Sequence, residues 1–454
     1  MASMPNGSGN KSGSAPLAAE QRRREMVLLL ILASVQFTSI VDFMVVMPLG
    51  PQLRRSLAIS PAQFGWIVSS YTIAAGLAAL LASSIMDRFG RKTAFLTLYS
   101  GFLLGTLFCG LSSGYSMLLA ARAATGAFGG ILGGLALAIV GDVFPEERRG
   151  RATGVLMSAF AVASVVGVPA GLAAGTRWGW HVPFLILAGL GLPVLFVGLR
   201  VLPPLRDHLY QATHSHPVRQ IVKTFSHSNH LRAFALTATV MLGSFSVIPF
   251  ISMYLVSNAG VTERQLPLVF VTGGLLTLVG APLIGRLADR YGKLPVYRIV
   301  AVAAMGLILA VTNLPRVPLA LAVGVVGSFM LSNAGRMVAA LAMVTGSVER
   351  RLRGGFMSAN SAVQHLASGV GAPIAGWILS LTKTDDGRLH HFNLVGLFAL
   401  VATALSLWLA GRVQPAQEPE AESAPTQDNQ PAHSSELLDT NLDYPADKLG
   451  AEPF

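Results

Sequence analysis

The sequence predicts an all-α membrane protein of twelve transmembrane helices in two six-helix halves, with both termini cytoplasmic. Three observations carry that reading. Hydrophobic residues make up 52% of the 454 residues and charged ones only 12%, too few charges to cover a soluble surface of this size. Apolar segments of roughly 20 residues, the length that crosses the hydrocarbon core, recur between short polar breaks. Finally, the chain repeats itself. Asp87-Arg88-Phe89-Gly90-Arg91-Lys92 returns as Asp289-Arg290-Tyr291-Gly292-Lys293, each between two apolar segments. Glu147-Arg148-Arg149-Gly150-Arg151, followed by Met157-Ser158-Ala159 and Gly167-Val168-Pro169-Ala170-Gly171, returns as Glu349-Arg350-Arg351-Leu352-Arg353, followed by Met357-Ser358-Ala359 and Gly371-Ala372-Pro373-Ile374-Ala375-Gly376. Order and approximate spacing both survive, so the duplication spans most of the chain.

Residues 1–25 are rich in Gly, Ser, Pro and Ala and bury too little apolar surface to offset ordering entropy; a disordered cytoplasmic tail is expected. Arg22-Arg23-Arg24 then precedes an apolar run too long for a signal core and without a small-residue cleavage pattern, so the first helix stays as an anchor. Helices are expected over 26–48, 63–86, 93–111, 116–142, 152–175 and 181–200, forming a first half at 26–200. Cys109 lies in the third of these, and a single cysteine excludes an intrachain disulfide. A cytoplasmic central loop, 201–231, joins the halves. It holds His208, His214, His216, His227 and His230, but no carboxylate or cysteine completes a metal-ligand set, so it reads as a solvated linker and no metal is expected. The second half, 232–412, has expected helices over 232–257, 265–286, 294–313, 317–346, 355–380 and 392–411. Residues 413–454, rich in Pro, Gln, Glu and Asp, form an expected disordered acidic cytoplasmic tail.

An even number of crossings puts both termini on one side, and basic residues identify it. The amino-terminal tail and the loops after the even-numbered helices hold 22 Lys and Arg, the opposite loops seven, so the positive-inside bias assigns the termini to the cytoplasm. The net charge of +11 is thereby a consequence of topology. Its dispersal among loops, in place of one basic face, argues against nucleic acid as a partner.

The Asp-Arg-x-Gly-Arg-Lys loop, with its degenerate copy, resembles the signature loop of the major facilitator superfamily, and the resemblance covers about 26–411. The glycine expected four residues before the aspartate is Ser83 in the first copy and Gly285 in the second, both small enough for close helix approach. Arg122-Ala123-Ala124-Thr125-Gly126 resembles the superfamily's arginine-glycine signature. Gly167, Pro169 and Gly171 resemble the glycine-proline signature of its antiporter branches, where proline loosens the hydrogen-bond ladder and glycines allow close packing. Such a loop can act as a switch. Asp87, Arg88, Gly90, Arg91 and Lys92, with Asp289, Arg290, Gly292 and Lys293, are expected to close the cytoplasmic seam through charge contacts that break when the halves rock. Simple anchoring of topology at the headgroups is the competing reading.

Ionisable groups inside the spans are few, and each is a functional candidate because burying it is expensive. Asp42 stands six residues before Pro48 on an outward-running helix and Arg122 six residues after Ser116 on an inward-running one, so both lie roughly 9 Å from the outer ends and are expected to meet. Arg336, ten residues before the end of its helix, and His365, ten after the start of the next, share a depth of roughly 15 Å from the cytoplasmic side. Asn333 lies one turn from Arg336 and Gln364 adjoins His365, giving a second polar group near the midplane. Tyr71, Gln36 and Asn360 complete the expected cavity lining. A structural ion pair and a neutral interior histidine are the bland alternatives for Asp42–Arg122 and His365.

No phosphate-cradling Gly-Lys-Ser/Thr loop, metalloprotease His-Glu pair or Gly-x-Ser-x-Gly elbow is present, so no enzyme and no cofactor is expected. Energy is expected from a proton gradient. The resemblance implies a secondary transporter of the plasma membrane (the bacterial inner membrane), working by alternating access as a monomer among membrane lipids and exporting small, mostly apolar molecules. In that reading Asp42 carries the proton and Arg122 responds to its charge. The alternatives are a proton symporter importing or exchanging organic anions with Arg336 as anchor, and a sensor or scaffold that keeps the fold without transport.

Overall fold

A computed structural model describes residues 14–85, 89–204, 225, 227–349, 352–382 and 388–416. Outside the described residues lie Asp87 and Arg88 of the first hinge, His208, His214 and His216 of the central loop, and the acidic tail from 417 onward.

The chain is helical throughout its described length. The first half comprises α1 (Ser14–Val45), the short α2 (Gly50–Ser56), α3 (Pro61–Ile85), α4 (Arg91–Gly110), α5 (Tyr115–Val143), α6 (Glu146–Val162), a π-helical turn (Ala163–Gly167), α7 (Val168–Trp178) and α8 (Val182–Val201). The second comprises α9 (Ser228–Val247), a 3-10 turn (Ile248–Phe250), α10 (Ile251–Ser257), α11 (Leu266–Tyr291), α12 (Lys293–Thr312), α13 (Leu319–Gly346), α14 (Arg353–Leu379) and α15 (Phe392–Ala410). Among the described residues, eleven helical segments are long and apolar enough to cross a membrane. Helix α14 stands outside that set. It has 27 residues but carries Asn360, Gln364 and His365 along its length, which lowers its hydropathy without shortening it.

Three expectations are corrected. Helix α1 begins at Ser14, not near 26, because Leu17-Ala18-Ala19-Glu20-Gln21-Arg22 are all good helix formers. Pro48 is not the outer rim: the chain makes a turn there and resumes as α2, with Pro51 at its start, where a proline lacks only an N–H that would be unpaired anyway. Asp42 therefore lies deeper than its distance from Pro48 suggests. Residues 413–416, assigned to the acidic tail, are held. The Gln414 amide donates to Asn229 Oδ1 at 2.9 Å, Asn229 Nδ2 donates to the Gln414 carbonyl at 2.8 Å, and the Ala416 amide donates to the Gly346 carbonyl at 2.9 Å.

Helix ends gather into two faces. On the terminal face Arg148 of α6 pairs with Glu25 of α1 at 2.7 Å, Arg91 of α4 with Asp142 of α5 at 3.2 Å, and Lys293 Nζ of α12 donates to the Ala342 carbonyl of α13 at 3.2 Å. Every one of these contacts stays within one half. On the far face the halves meet. Ser252 Oγ donates to the Met47 carbonyl at 2.8 Å, the Ala62 amide donates to Ser380 Oγ at 3.2 Å, and Arg55 pairs with Glu263 at 2.6 Å.

The apolar core has the same asymmetry. A cluster running from Val45, Phe64 and Phe184 to Phe250, Phe329 and Ala399 draws on both halves. Two others, one around Phe95, Phe102 and Leu135 and one around Phe234, Tyr297 and Phe356, each belong to a single half. Glycines allow the shared packing. A Cβ on Gly65 of α3 would lie 2.6 Å from the Ala372 carbonyl oxygen of α14, and one on Gly376 of α14 would lie 2.6 Å from the Pro61 carbonyl oxygen of α3. Backbone touches backbone there, in the manner of small-residue interfaces in membranes.

Candidate functional site

Asp42 and Arg122 meet. Arg122 Nη1 donates to Asp42 Oδ2 at 2.7 Å and to its carbonyl oxygen at 3.3 Å, and Thr106 Oγ1 donates to Asp42 Oδ1 at 3.1 Å. Both charged side chains are 0% exposed. Three helices supply the pair: α1 the carboxylate, α4 the hydroxyl and α5 the guanidinium. The spacing of Arg122 and Gly126 explains its local geometry. Gly126 lies one turn after the arginine on the same face, and a Cβ there would collide with the Tyr71 backbone of α3. With only a hydrogen at Gly126, α3 settles onto α5 and places the Tyr71 ring under the guanidinium, with Arg122 Cζ 4.5 Å from the ring centroid. A cation over an aromatic face is a favourable contact that partly replaces lost solvation. Arg122 Nε and Nη2 have no hydrogen-bond partner.

The pair is one residue from the seam. Phe43, half-buried, packs on Tyr71 with ring centroids 5.1 Å apart and stacks on Phe245 of α9 at 5.9 Å. The displacement that carries Asp87 onto Asp289 and Glu147 onto Glu349, 202 residues, also carries Asp42 onto Ser244 and Phe43 onto Phe245. Equivalent phenylalanines of the two repeats thus stack on each other across the halves. Nothing in composition or periodicity singles out this contact, though the repeat offset was available to find it.

Arg336, 1% exposed, has a different setting. Its Nη1 donates to Thr403 Oγ1 of α15 at 2.7 Å, and its Nη2 donates to Asn333 Oδ1 at 2.9 Å and to Ser244 Oγ of α9 at 3.1 Å. Asn333 was expected beside it, one turn away; Ser244 and Thr403 were not, because hydroxyl residues are common in membrane helices and give no signal of their own. His365 does not join this cluster. Its backbone side faces α3, where a Cβ on Gly76 would lie 3.2 Å from His365 Cβ. Asn360 is buried and accepts from Thr237 Oγ1 at 2.7 Å, which ties α14 to α9. Gln364 is half-buried. Gln36 of α1, also half-buried, faces Gly133 of α5, where a Cβ would lie 3.2 Å from Gln36 Oε1.

The fifth expected helix is broken as its sequence suggested, by more than proline alone. A π-helical turn over Ala163–Gly167 immediately precedes Pro169, and such turns often mark functional positions in helices. A Cβ on Gly171 would lie 2.9 Å from Val45 Cγ2 of α1, and Gly167 approaches Val41 still more closely, so α7 packs directly against the helix that carries Asp42. Of the hinge residues, Gly90 caps α4, Arg91 pairs within its own half, and Lys92 is half-buried. Asp289, Arg290 and Lys293 are exposed. Gly292 has φ +94°, a left-handed conformation that favours glycine.

A two-halved helical membrane protein, with buried charges beside the contact between its halves, defines the class. The model of the Major Facilitator Superfamily matches residues 32–241 and again 233–442, and the chain belongs to that superfamily: it is a multi-pass membrane transporter and not an enzyme. It is 26% identical over 383 residues to YceJ of Bacillus subtilis (strain 168), an uncharacterized MFS-type transporter, covering 83% of this chain and 93% of that one. It is 25% identical over 240 residues to a chloramphenicol resistance protein of Streptomyces lividans, 53% of this chain and 61% of that one, and 28% identical over 178 residues to the multidrug resistance protein Stp of Mycobacterium tuberculosis (strain CDC 1551 / Oshkosh), 39% and 33%. Among solved structures, a bacterial homolog of the human lysosomal transporter Spinster, in an inward-facing and occupied conformation, superposes with a TM-score of 0.71 at 16% identity over 89% of this chain and 98% of that one. The nucleoside transporter NupG superposes with 0.69 at 13% identity over 86% and 99%.

Proposed function

We propose that this protein is a proton-coupled exporter of small, mostly apolar molecules. It crosses the plasma membrane twelve times, keeps both termini in the cytoplasm and works by alternating access. The observation that carries the reading is the fully buried Asp42–Arg122 pair, held 2.7 Å apart one residue from a stacking contact between the halves. A carboxylate in the membrane interior is costly unless paired. Protonation of Asp42 removes half of that pairing and leaves the Arg122 charge to find new partners, which displaces α5 against α1. Phe43, the next residue along α1, passes that displacement to Phe245 of the other half. The resemblance of parts of the chain to chloramphenicol and multidrug resistance proteins favours export. The positive-inside count supports cytoplasmic termini. The polar contacts between the halves that lie at helix ends are those of the far face, which fits a carrier open toward the cytoplasm, and the Spinster homolog it resembles is inward-facing.

The test is proton-driven efflux of chloramphenicol and of a fluorescent dye from cells or inverted vesicles. With Asp42→Asn, which removes the titrating group and nearly preserves volume, uphill transport is expected to vanish while downhill exchange persists. Full proton-driven transport by that variant would exclude Asp42 as the proton carrier.

A further inference from the structure

The buried charged side chains among the described residues, histidine aside, are Asp42, Arg122 and Arg336. Two are cations and one is an anion, so the first half balances its arginine and the second half does not. Every acceptor around Arg336 is neutral: two hydroxyls, from Ser244 and Thr403, and the amide of Asn333. Its Nε is buried with no partner. Ser244 Oγ lies 2.6 Å from Asn333 Oδ1 and 2.7 Å from the Val240 carbonyl and has one proton to give to either, so the serine is held beside the guanidinium without bringing it any charge. The 202-residue displacement places Ser244 where Asp42 stands in the first half but carries Arg122 onto Gly324, so Arg336 is a cation that the second half has on its own, with a hydroxyl beside it where the first half has a carboxylate. A buried cation lacking an anion is expensive in a membrane interior, and a planar guanidinium is suited to two-point recognition of a carboxylate.

We propose that Arg336, with Ser244, Asn333 and Thr403, is a binding site for a monoanionic group, so that the molecules this transporter carries include small amphiphilic acids whose carboxylate supplies the charge that Ser244 lacks. The inference rests on the chain being a transporter, and it holds for either direction of transport and for any coupling ion. A free inorganic anion such as chloride offers the same charge and is the second source of it.

The matched probes are benzoate and benzamide, which share shape and differ in charge, titrated into the full-length protein in a neutral detergent and a chloride-free buffer. Benzoate is expected to bind at least tenfold more tightly than benzamide. Ser244→Asp should abolish that preference by supplying the anion internally, as Asp42 does for Arg122, and it should do so without loss of thermal stability. Arg336→Gln should also abolish it, and Ser244→Asp keeps the test decisive if that variant fails to fold. Chloride that competes with benzoate at millimolar concentration, and has no effect on Ser244→Asp, assigns the site to inorganic anions and supports it equally. Equal binding of benzoate and benzamide, or a preference unchanged in Ser244→Asp, overturns the proposal. Binding measured this way is separate from efflux: anion binding together with failure of proton-driven export would leave this site standing and remove the export reading.

Discussion

At the scale of single residues, what matters is which charges have partners. Arg122→Ala leaves Asp42 buried with only Thr106 to bond its carboxylate, and loss of one member of a buried pair costs about 3–5 kcal/mol. The variant is expected to melt markedly lower in detergent, and Asp42→Asn in the same chain should restore much of the loss, because no buried charge is then left unpaired. Losses that simply add in the double variant would mean that the two side chains do not interact. Phe43→Leu tests the step that follows. It removes the ring stacked on Phe245 but not the proton carrier, so downhill exchange should persist while transport against a gradient falls several-fold; unchanged uphill transport would remove the ring stack from the coupling. Part of this was legible beforehand. The meeting of Asp42 and Arg122 was expected from counting residues to helix ends, since rise per residue is nearly constant, although Pro48, one of the ends counted from, is not the rim. Of the partners of Arg336 only Asn333, one turn away, followed; Ser244 and Thr403 did not, and the shared depth of His365 did not become a contact, because depth says nothing of rotation about the helix axis.

At the scale of elements, legibility followed the strength of the local signal. Long apolar runs located the helices to within a few residues in most cases, and Pro169 marked the loosened stretch of the fifth expected helix, though not the π-turn before it. Pro48 misled, because a proline that ends one helix is also well suited to begin another, and α2 starts two residues later. The close approach of α3 and α14 was equally hidden. Gly65 and Gly376 carry no periodic signature, yet each faces a carbonyl oxygen across the seam where a Cβ would stand 2.6 Å away. Neither backbone can yield to a larger residue without the helices separating. Gly65→Val and Gly376→Val are therefore expected to wedge the far face open while leaving each half folded. A cysteine placed at Gln63, with Cys109 replaced by Ala, should react several-fold faster with a membrane-impermeant maleimide in these variants. An unchanged rate, with unchanged thermal stability, would show that the contact is not what seals that face.

For the whole molecule, the duplication was the most legible feature and the conformational state the least. The repeated hinges predicted two halves related by rocking, and the same repeat pairs Phe43 with Phe245. Which face is shut depends on a small free-energy difference between two packings of the same sequence, and no local pattern encodes that. In the described state the terminal-face contacts of Arg91 with Asp142 and of Lys293 with Ala342 each lie within one half, while the far face is joined by Arg55–Glu263, Ser252–Met47 and Ala62–Ser380. These joints differ in weight. Arg55 is 67% exposed, so its ion pair contributes no more than about 1 kcal/mol, a factor of about five in population. The Ser252 hydroxyl is buried, and its bond contributes about 1 kcal/mol more. Glu263→Gln combined with Ser252→Ala is therefore expected to shift the balance toward the state open on the far face by roughly five- to thirtyfold. Spin labels at Arg177 and Arg264 report the far face, and labels at Arg151 and Arg353 the terminal face. In the double variant the first distance should lengthen in part of the population while the second shortens in the same fraction, since closing one face is the mechanical consequence of opening the other. Lengthening on the far face with no matching change on the terminal face would mean that the halves part without rocking, and alternating access would fail for this protein.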